Sequence, residues 1–301
     1  MEAAVCATPP ASCVLCGARA AAPALRFDTR ALVRCRACGL VWTDPMPSAA
    51  ETRELEERAF RGELLAETRT MFAAYGRNYR PDDPVVGAFR GSLARMEALT
   101  RGRRLLDVGV GTGLYIALAR ERGWQAEGVE ISAEAAARAA REFGVPVRPG
   151  RFEEVALDGP YDAITMGDVL EHTLDPPAFL RRAHELLAPG GVLYVAVPNF
   201  AGLVFRVAEA VGRLPAPPLT RLVERLHPVN HKWYFTPRTL PRLVEAAGLA
   251  VVHVEQEDPH LARYALGIPV RLGLRALLWL GRLAGRRNRL VVYGQRPGGG
   301  G

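Results

Sequence analysis

Three groups of residues in this chain have the types and spacing to do chemistry. The first is Leu105-Leu106-Asp107-Val108-Gly109-Val110-Gly111-Thr112-Gly113, an apolar strand pattern that ends in a carboxylate and a glycine-rich turn and runs into a helical pattern. Gly109, Gly111 and Gly113 lack a Cβ, so the turn can reach positive φ and bring backbone N–H groups up to a ligand at a helix N-terminus. Glu130 closes the next strand pattern, Trp124-Gln125-Ala126-Glu127-Gly128-Val129-Glu130, about where a ribose-gripping carboxylate should lie. Together they make a βαβ site for a nucleoside-bearing cofactor. A dinucleotide fold wants its third glycine one position later, where Leu114 stands. Asp107 would repel a diphosphate, whereas it suits the ammonium of an amino-acid moiety.

The second group is a pair of Cys-x-x-Cys-Gly knuckles, Cys13-Val14-Leu15-Cys16-Gly17 and Cys35-Arg36-Ala37-Cys38-Gly39, separated by eighteen residues. Two such knuckles supply the tetrahedral sulfur set of a closed structural zinc site, with no position left open for water. Free thiols or a redox pair are the alternative. Cys6 is left over as a free thiol.

The third group is histidine. His172 follows the strand pattern Tyr161-Asp162-Ala163-Ile164-Thr165-Met166-Gly167, and it reads either as a general base near neutral pH or as a residue packing the next turn. His227-Pro228-Val229-Asn230-His231-Lys232-Trp233-Tyr234-Phe235 combines two histidines, an amide and aromatics in a candidate acceptor pocket. His231 is favoured over His227 as base or acceptor contact, against a structural hydrogen-bonding role. No carboxylate spacing supports a metal there. His184, inside an amphipathic helix, and His253, inside a strand, read as structural.

These residues need a scaffold, and the pattern around them supplies one. Strand and helix patterns alternate: Arg103 to Val108, Leu114 to Arg122, Trp124 to Ile131, Ala133 to Phe143, Val145 to Arg148, Tyr161 to Met166, Pro177 to Leu187, Val192 to Val197, Pro237 to Ala247, Ala250 to Glu255 and Arg289 to Gly294. Such alternation predicts a doubly wound α/β sheet with ligands beyond the carboxyl ends of its strands. Ser48 with Glu51 reads as a capping box that opens a charged helix through about Tyr75, covering the cofactor end; Tyr75 and Tyr79 flank a break at Gly76.

The acidic-x-Gly-x-Gly-x-Gly turn and the acidic end of the second strand resemble those of the class I S-adenosylmethionine-dependent methyltransferases, over roughly residues 85 to 297. The resemblance implies a seven-stranded, mostly parallel Rossmann-like sheet whose last strand is antiparallel. It implies that Asp107 meets the methionine ammonium, that Gly109, Gly111 and Gly113 approach the cofactor, that Glu130 accepts both ribose hydroxyls, and that the Gly167 carbonyl faces the methionine end. The family often places an acidic residue after the third strand to hold the adenine amine. Here the chain reads Gly150-Arg151-Phe152-Glu153, so the Phe152 amide and ring, with Ile131 on the other side, are expected to hold the base. Gly39-Leu40-Val41-Trp42-Thr43-Asp44-Pro45-Met46-Pro47 resembles the exit of zinc ribbons that precede some bacterial methyltransferases of surface-polysaccharide, deoxysugar and secondary-metabolite pathways.

The expected organisation is a zinc ribbon at 1–47, a helical linker at 48–84 and a catalytic domain at 85–297. Its insertions are 200–230, a candidate substrate lid containing Leu214-Pro215-Ala216-Pro217-Pro218, and 259–288. In the second, Arg271, Arg275, Arg282 and Arg286 gather on one side of an apolar helix, and no carboxylate follows Asp258. Residues 269–287 therefore read either as a peripheral contact with an anionic membrane or as a helix docked on the sheet with solvated arginines. The arginines exclude a true span. At 301 residues with 49% hydrophobic content, one α/β domain and a small module fit. The net charge of +7 rests on arginine, Lys232 being the sole lysine, so basicity alone does not argue for nucleic acid. No signal-peptide pattern opens the chain, and a cytoplasmic, reducing setting is expected, with peripheral attachment to the inner face of a membrane as its variant.

Methyl transfer from a sulfonium needs a positioned acceptor and a proton acceptor, with no catalytic metal. The expected activity is S-adenosylmethionine-dependent methylation of an oxygen or carbon of a small molecule, glycan precursor or lipid-linked intermediate. The motif after Ile164 is not Asn-Pro-Pro-Tyr, which disfavours planar exocyclic amines. Two alternatives stand beside it: an rRNA or tRNA base methyltransferase, and a cofactor-binding partner protein without transferase activity.

Overall fold

A computed structural model describes residues 12–60, 79–213, 223–224, 226–259 and 267–298. Cys6, Tyr75, Gly76 and Leu214-Pro215-Ala216-Pro217-Pro218 lie outside the described residues.

The cysteine region forms three short antiparallel strands, β1 (Ala21–Arg26), β2 (Ala31–Cys35) and β3 (Val41–Asp44). Helix α1 (Ala49–Phe60) follows, opened by the expected capping box: the Glu51 N–H donates to Ser48 Oγ at 3.2 Å and the Ser48 N–H to the Glu51 carboxylate at 2.7 Å. Helix α2 (Pro84–Leu99) is an element that the alternation pattern passes over. Its start was nonetheless written in Asp83-Pro84, where the Asp83 carboxylate accepts the Val85 N–H and proline stands in the first turn.

The larger sheet uses β4 (Arg104–Val108), β5 (Gln125–Glu130), β6 (Val147–Pro149), β7 (Tyr161–Gly167), β8 (Leu187–Pro198), β10 (Ala250–Glu257) and β11 (Arg289–Gln295) in the order β10-β11-β8-β7-β4-β5-β6. Neighbours from β8 to β6 are parallel, and β11 is antiparallel to both β8 and β10. The seven-stranded, doubly wound expectation holds. Helices α3 (Leu114–Glu121), α4 (Ala133–Phe143), α5 (Pro176–Leu186) and α7 (Leu240–Ala246) connect these strands. Burial on both faces explains the near-continuous apolar runs of β7 and β8. Alternate residues feed two cores, Leu106, Ile164, Met166, Leu193 and Val195 on one face and Leu105, Ala163, Val192 and Tyr194 on the other. The order in which successive strands join the sheet reverses at β4, with β5 and β6 on one side of it and β7 and β8 on the other, and that switch point opens the cleft.

The ribbon does not stand apart. Strand β9 (Trp233–Tyr234) pairs antiparallel with β3, Val41 opposite Tyr234 and Trp42 opposite Trp233, completing a four-stranded sheet β1-β2-β3-β9. Helix α6 (Leu203–Val211), expected within a substrate lid, packs with the ribbon instead: Ala24, Leu25, Leu32 and Val41 share a core with Phe200, Ala208 and Tyr234. Arg34 of β2 pairs with Glu209 of α6 at 2.7 Å. Helix α8 (Ile268–Leu283) occupies the second insertion and rests on α6. Among the described residues no helix is long and apolar enough to cross a membrane.

Candidate functional site

The carboxyl ends of β4, β5 and β6 build one end of a cleft of about 330 Å³. Asp107 and Glu130 both line it and both are buried. The Thr165 hydroxyl donates to Asp107 at 2.6 Å; the N–H groups of Gly111 (2.9 Å) and Ser132 (3.0 Å) donate to Glu130. Burial pushes the Asp107 carboxyl up to about 7, the Thr165 hydrogen bond opposing and the charge of Glu130 adding to the rise. Burial raises Glu130 to about 7 against its backbone donors. Two carboxyls so poised gain charge readily when a cation or hydroxyl donors arrive.

Gly109 (φ 79°) and Gly111 (φ 55°) line the cleft in the left-handed region, and a Cβ on Gly109 would stand 2.4 Å from Val169 Cγ2. Gly113 is a correction. It does not line the cleft; it heads α3, and a Cβ there would meet Ala139 of α4 at 2.8 Å, so its role is close helix packing. Ile131, Phe152 and Gly167 all line the cleft, Phe152 with Phe179 at 4.8 Å between ring centres and the Arg182 guanidinium over its ring. Sequence reasoning missed Thr52 and Glu56. These lie one turn apart on α1 and line the cofactor end, and Thr52 Oγ1 and Glu56 Oε2 have no hydrogen-bond partner among the described residues. Their i, i+4 spacing on the helix opened by Ser48 was the available signal.

The other end is built by β7, β8, β11 and α2. Gly167, Asp168, Val169, His172, Thr173, Asn230 and Arg289 line it, with rings of Phe89, Tyr115 and Tyr194. Asp168 adopts φ 57°, rare for a residue with a side chain, and its carboxylate pairs with Arg289 at 2.5 Å. Neither Asp168 nor Arg289 was assigned a role from sequence. Arg289 reaches the cleft because β11 runs backwards, starting where its neighbours end.

His172 stands on the cleft in a 3-10 turn, Leu170–His172. Its Nδ1–H donates to the Asn230 carbonyl at 3.1 Å, and Nε2 has no hydrogen-bond partner among the described residues. Burial, then the charge of Lys232, pulls its pKa down to about 4, so the ring is neutral at physiological pH. His231 is not a cleft residue; it packs edge-on against His172 at 4.7 Å, and burial lowers it well below the usual histidine range. His227 is a further correction. It is enclosed by Phe27, Phe200, Phe205 and Tyr234 in the ribbon core, where its Nδ1–H donates to the Val223 carbonyl at 2.8 Å. Lys232 is fully buried, donating from Nζ to the His172 carbonyl at 2.6 Å. Glu171, His172 and His231 bring ligand-type atoms within 4.8 Å of one another, but the Lys232 ammonium, bonded to the His172 carbonyl beside them, opposes a cation.

Away from the cleft, the four cysteine sulfurs converge within 4.8 Å, Cys13 to Cys38 at 3.5 Å and Cys16 to Cys35 at 3.6 Å. Tetrahedral zinc with bonds of about 2.3 Å asks for edges of about 3.8 Å, and the donor set fits. Each knuckle closes with a glycine N–H, Gly17 to the Cys13 carbonyl at 2.8 Å and Gly39 to the Cys35 carbonyl at 3.0 Å, both glycines at positive φ.

A family model described as "Methyltransferase domain" matches residues 79–254, more than half of the 301 residues. The chain belongs to this methyltransferase family. The match spans both ends of the cleft but stops short of the ribbon, α8 and β11. Curated relatives named ubiquinone biosynthesis O-methyltransferase include one from Caulobacter sp. (strain K31), 37% identical over 121 residues covering 36% of this chain and 48% of the relative. Another, from Caulobacter vibrioides, is 32% identical over 190 residues covering 60% and 68%. The chain thus spans about half to two-thirds of such relatives' length. Among solved structures, the Burkholderia thailandensis 1,6-didemethyltoxoflavin-N1-methyltransferase, bound to 1,6-didemethyltoxoflavin and S-adenosylhomocysteine, aligns with TM-score 0.53 at 17% identity over 91% of this chain and 99% of that one. Phosphoethanolamine N-methyltransferase 2 of Haemonchus contortus aligns with TM-score 0.58 at 15% identity over 85% and 63%. At these identities the likeness establishes a shared methyltransferase fold.

Proposed function

We propose that this protein transfers a methyl group from S-adenosylmethionine to the hydroxyl oxygen of a small planar molecule, with zinc holding the ribbon. One observation carries the reading: two buried carboxyls, Asp107 and Glu130, face the switch point from one side while a neutral histidine whose Nε2 has no hydrogen-bond partner among the described residues, His172, faces it from the other. S-adenosylmethionine would supply a methyl group on a positively charged sulfur. Asp107 suits its ammonium, Glu130 its ribose diol, and Thr52 and Glu56 close over the same end. The names of the curated relatives support an oxygen acceptor.

The residues here do the remaining work. Phe89, Tyr115 and Tyr194 offer flat apolar walls, which favour a ring. His172 Nε2 accepts the proton that the acceptor oxygen sheds as it takes the methyl group. A ring with so low a proton affinity serves an acidic hydroxyl, such as a phenol or enol, better than an aliphatic alcohol. The cysteine cluster fits zinc with all four sites closed, so the metal organises β1–β3 and takes no part in the chemistry.

The test is transfer of radiolabelled methyl from S-adenosylmethionine into hydroxylated aromatics, sugar alcohols and RNA, run with the parent protein and with His172→Ala. Label should enter the aromatics, and the variant should keep its affinity for S-adenosylhomocysteine while losing roughly 100-fold in turnover. Label entering RNA, or a variant with unchanged turnover, would refute the reading.

A further inference from the structure

Among the described residues of helix α8 only Leu278 and Gly281 are buried, and Val270, on the Gly281 side of its first turn, is 58% exposed. Leu278 and Gly281 face inward, and a Cβ on Gly281 would meet Leu203 of α6 at 3.4 Å. On the opposite side Ile268 (77% exposed), Leu272 (58%), Trp279 (58%) and Leu283 (69%) stand in solvent. At 100° per residue these four fall within about 60° of one another. Leu280, also exposed, continues the apolar surface. A helix that had finished its packing would not present this stripe.

The border of the stripe is cationic. Arg275 and Arg282 follow it within about 40° on the wheel, both are exposed, and exposed Arg286 lies just past the helix end. Arg282 also pairs with Asp258 at 2.5 Å, an anchor that orients the helix. No acidic residue occurs after Asp258 in the sequence. An apolar stripe with tryptophan at its centre and arginine along its edge complements one surface, the headgroup layer of an anionic bilayer, where acyl chains meet the stripe and phosphates meet the guanidinium groups.

Placement adds a consequence. Helix α8 leads into Arg289, which lines the cleft and stands opposite Glu257 at the end of β10. We infer that α8 lies in the plane of an anionic membrane and brings the acceptor end of the cleft to the lipid surface, so that the acceptor is amphipathic: a hydroxylated ring with an apolar tail held in the bilayer. The docking stands on α8 alone; the acceptor's tail rests on the methyl-transfer reading.

Tryptophan makes the docking directly readable. Of the four tryptophans, Trp42, Trp124 and Trp233 are buried and Trp279 is exposed. The whole zinc-loaded protein is mixed with vesicles of phosphatidylcholine, with or without phosphatidylglycerol. Phosphatidylglycerol vesicles should cosediment the protein, shift its emission to shorter wavelength, and quench it when the acyl chains are brominated. Leu272→Glu with Leu283→Glu changes only exposed positions and should abolish all three signals. Arg275→Glu should weaken binding roughly tenfold, and added salt should weaken the parent. Absence of cosedimentation, equal binding to uncharged vesicles, or a blue shift that follows protein concentration without lipid, as a second copy covering the stripe would give, overturns the proposal. Calorimetry with S-adenosylhomocysteine in vesicle-free solution reports separately on the methyl-transfer reading.

Discussion

A buried carboxyl whose pKa has been pushed up responds strongly to the cation it receives. Asp107 stands at about 7 in the free protein because burial disfavours its charge, and an ammonium alongside would restore that charge and lower the pKa. Binding must then expel a proton. Affinity for S-adenosylhomocysteine should rise as pH increases from 6 toward 7, by at most about tenfold per unit, and level off above. Calorimetry in buffers of different ionisation enthalpy should register proton release at pH 6, and a pH-independent affinity would rule out this role for Asp107. Asp107, Gly109, Gly111, Glu130, Ile131, Phe152 and Gly167 could all be placed from sequence because their signals are local: a turn, a strand end, a residue after a strand. Gly113 misled for the same reason. Its spacing matched the turn, but its lack of a Cβ serves Ala139, a residue 26 positions away in the sequence.

Among elements, β9 has the largest reach for its two residues. It ties the ribbon, through β3, to the stretch carrying Asn230, His231 and Lys232, and the Lys232 N–H donates to the Glu171 carbonyl at 2.8 Å in the turn that carries His172. The Thr43 N–H of β3 donates to the Lys232 carbonyl at 2.9 Å. The cleft wall that carries Asn230 and His172 is therefore tied to the cysteine ribbon, whereas Asp107 and Glu130 sit on β4 and β5, strands of the other sheet. Removing zinc by chelation, or replacing Cys35 by Ser, should raise the acceptor KM roughly tenfold or more, since small misplacements are costly in positioned reactions. Affinity for S-adenosylhomocysteine should change far less. Equal losses in both would show that the ribbon supports the whole fold and not that wall of the cleft.

For the molecule as a whole, the same carboxyl that prepares the site weighs on global stability. The folded pKa of Asp107 is raised to about 7 from an unfolded value of about 3.9, so the folded chain holds a proton that the unfolded chain has lost between those limits. Its contribution is fully present below about pH 4, falls as pH rises, and is gone above about 7. Histidines held low in the fold, His172 and His227 at about 4, act in the opposite sense below their unfolded value, so the parent's profile mixes both. Comparison with Asp107→Asn isolates the one group. The variant's advantage in thermal midpoint should widen from pH 4 to pH 7 and then stay level, while its cofactor binding is lost. A gap that does not vary with pH would mean that Asp107 is not perturbed in the free protein.

Sequence alone determined the parts whose signals are short: the cysteine knuckles, the glycine turn with its flanking carboxylates, the capping box at Ser48, and the strand–helix alternation that yields seven strands. Period and turn chemistry act over a few residues and leave a readable trace. Tertiary structure alone decided which side chains share the cleft. His172 and Asn230 meet across 58 positions, and Asp168 and Arg289 across 121; His227 and His231, more attractive by spacing, turn into packing. Burial sets the pKa values, and the direction of β11 carries Arg289 to the ligand end. Both depend on which strands lie side by side, and periodicity along one strand says nothing of its neighbour.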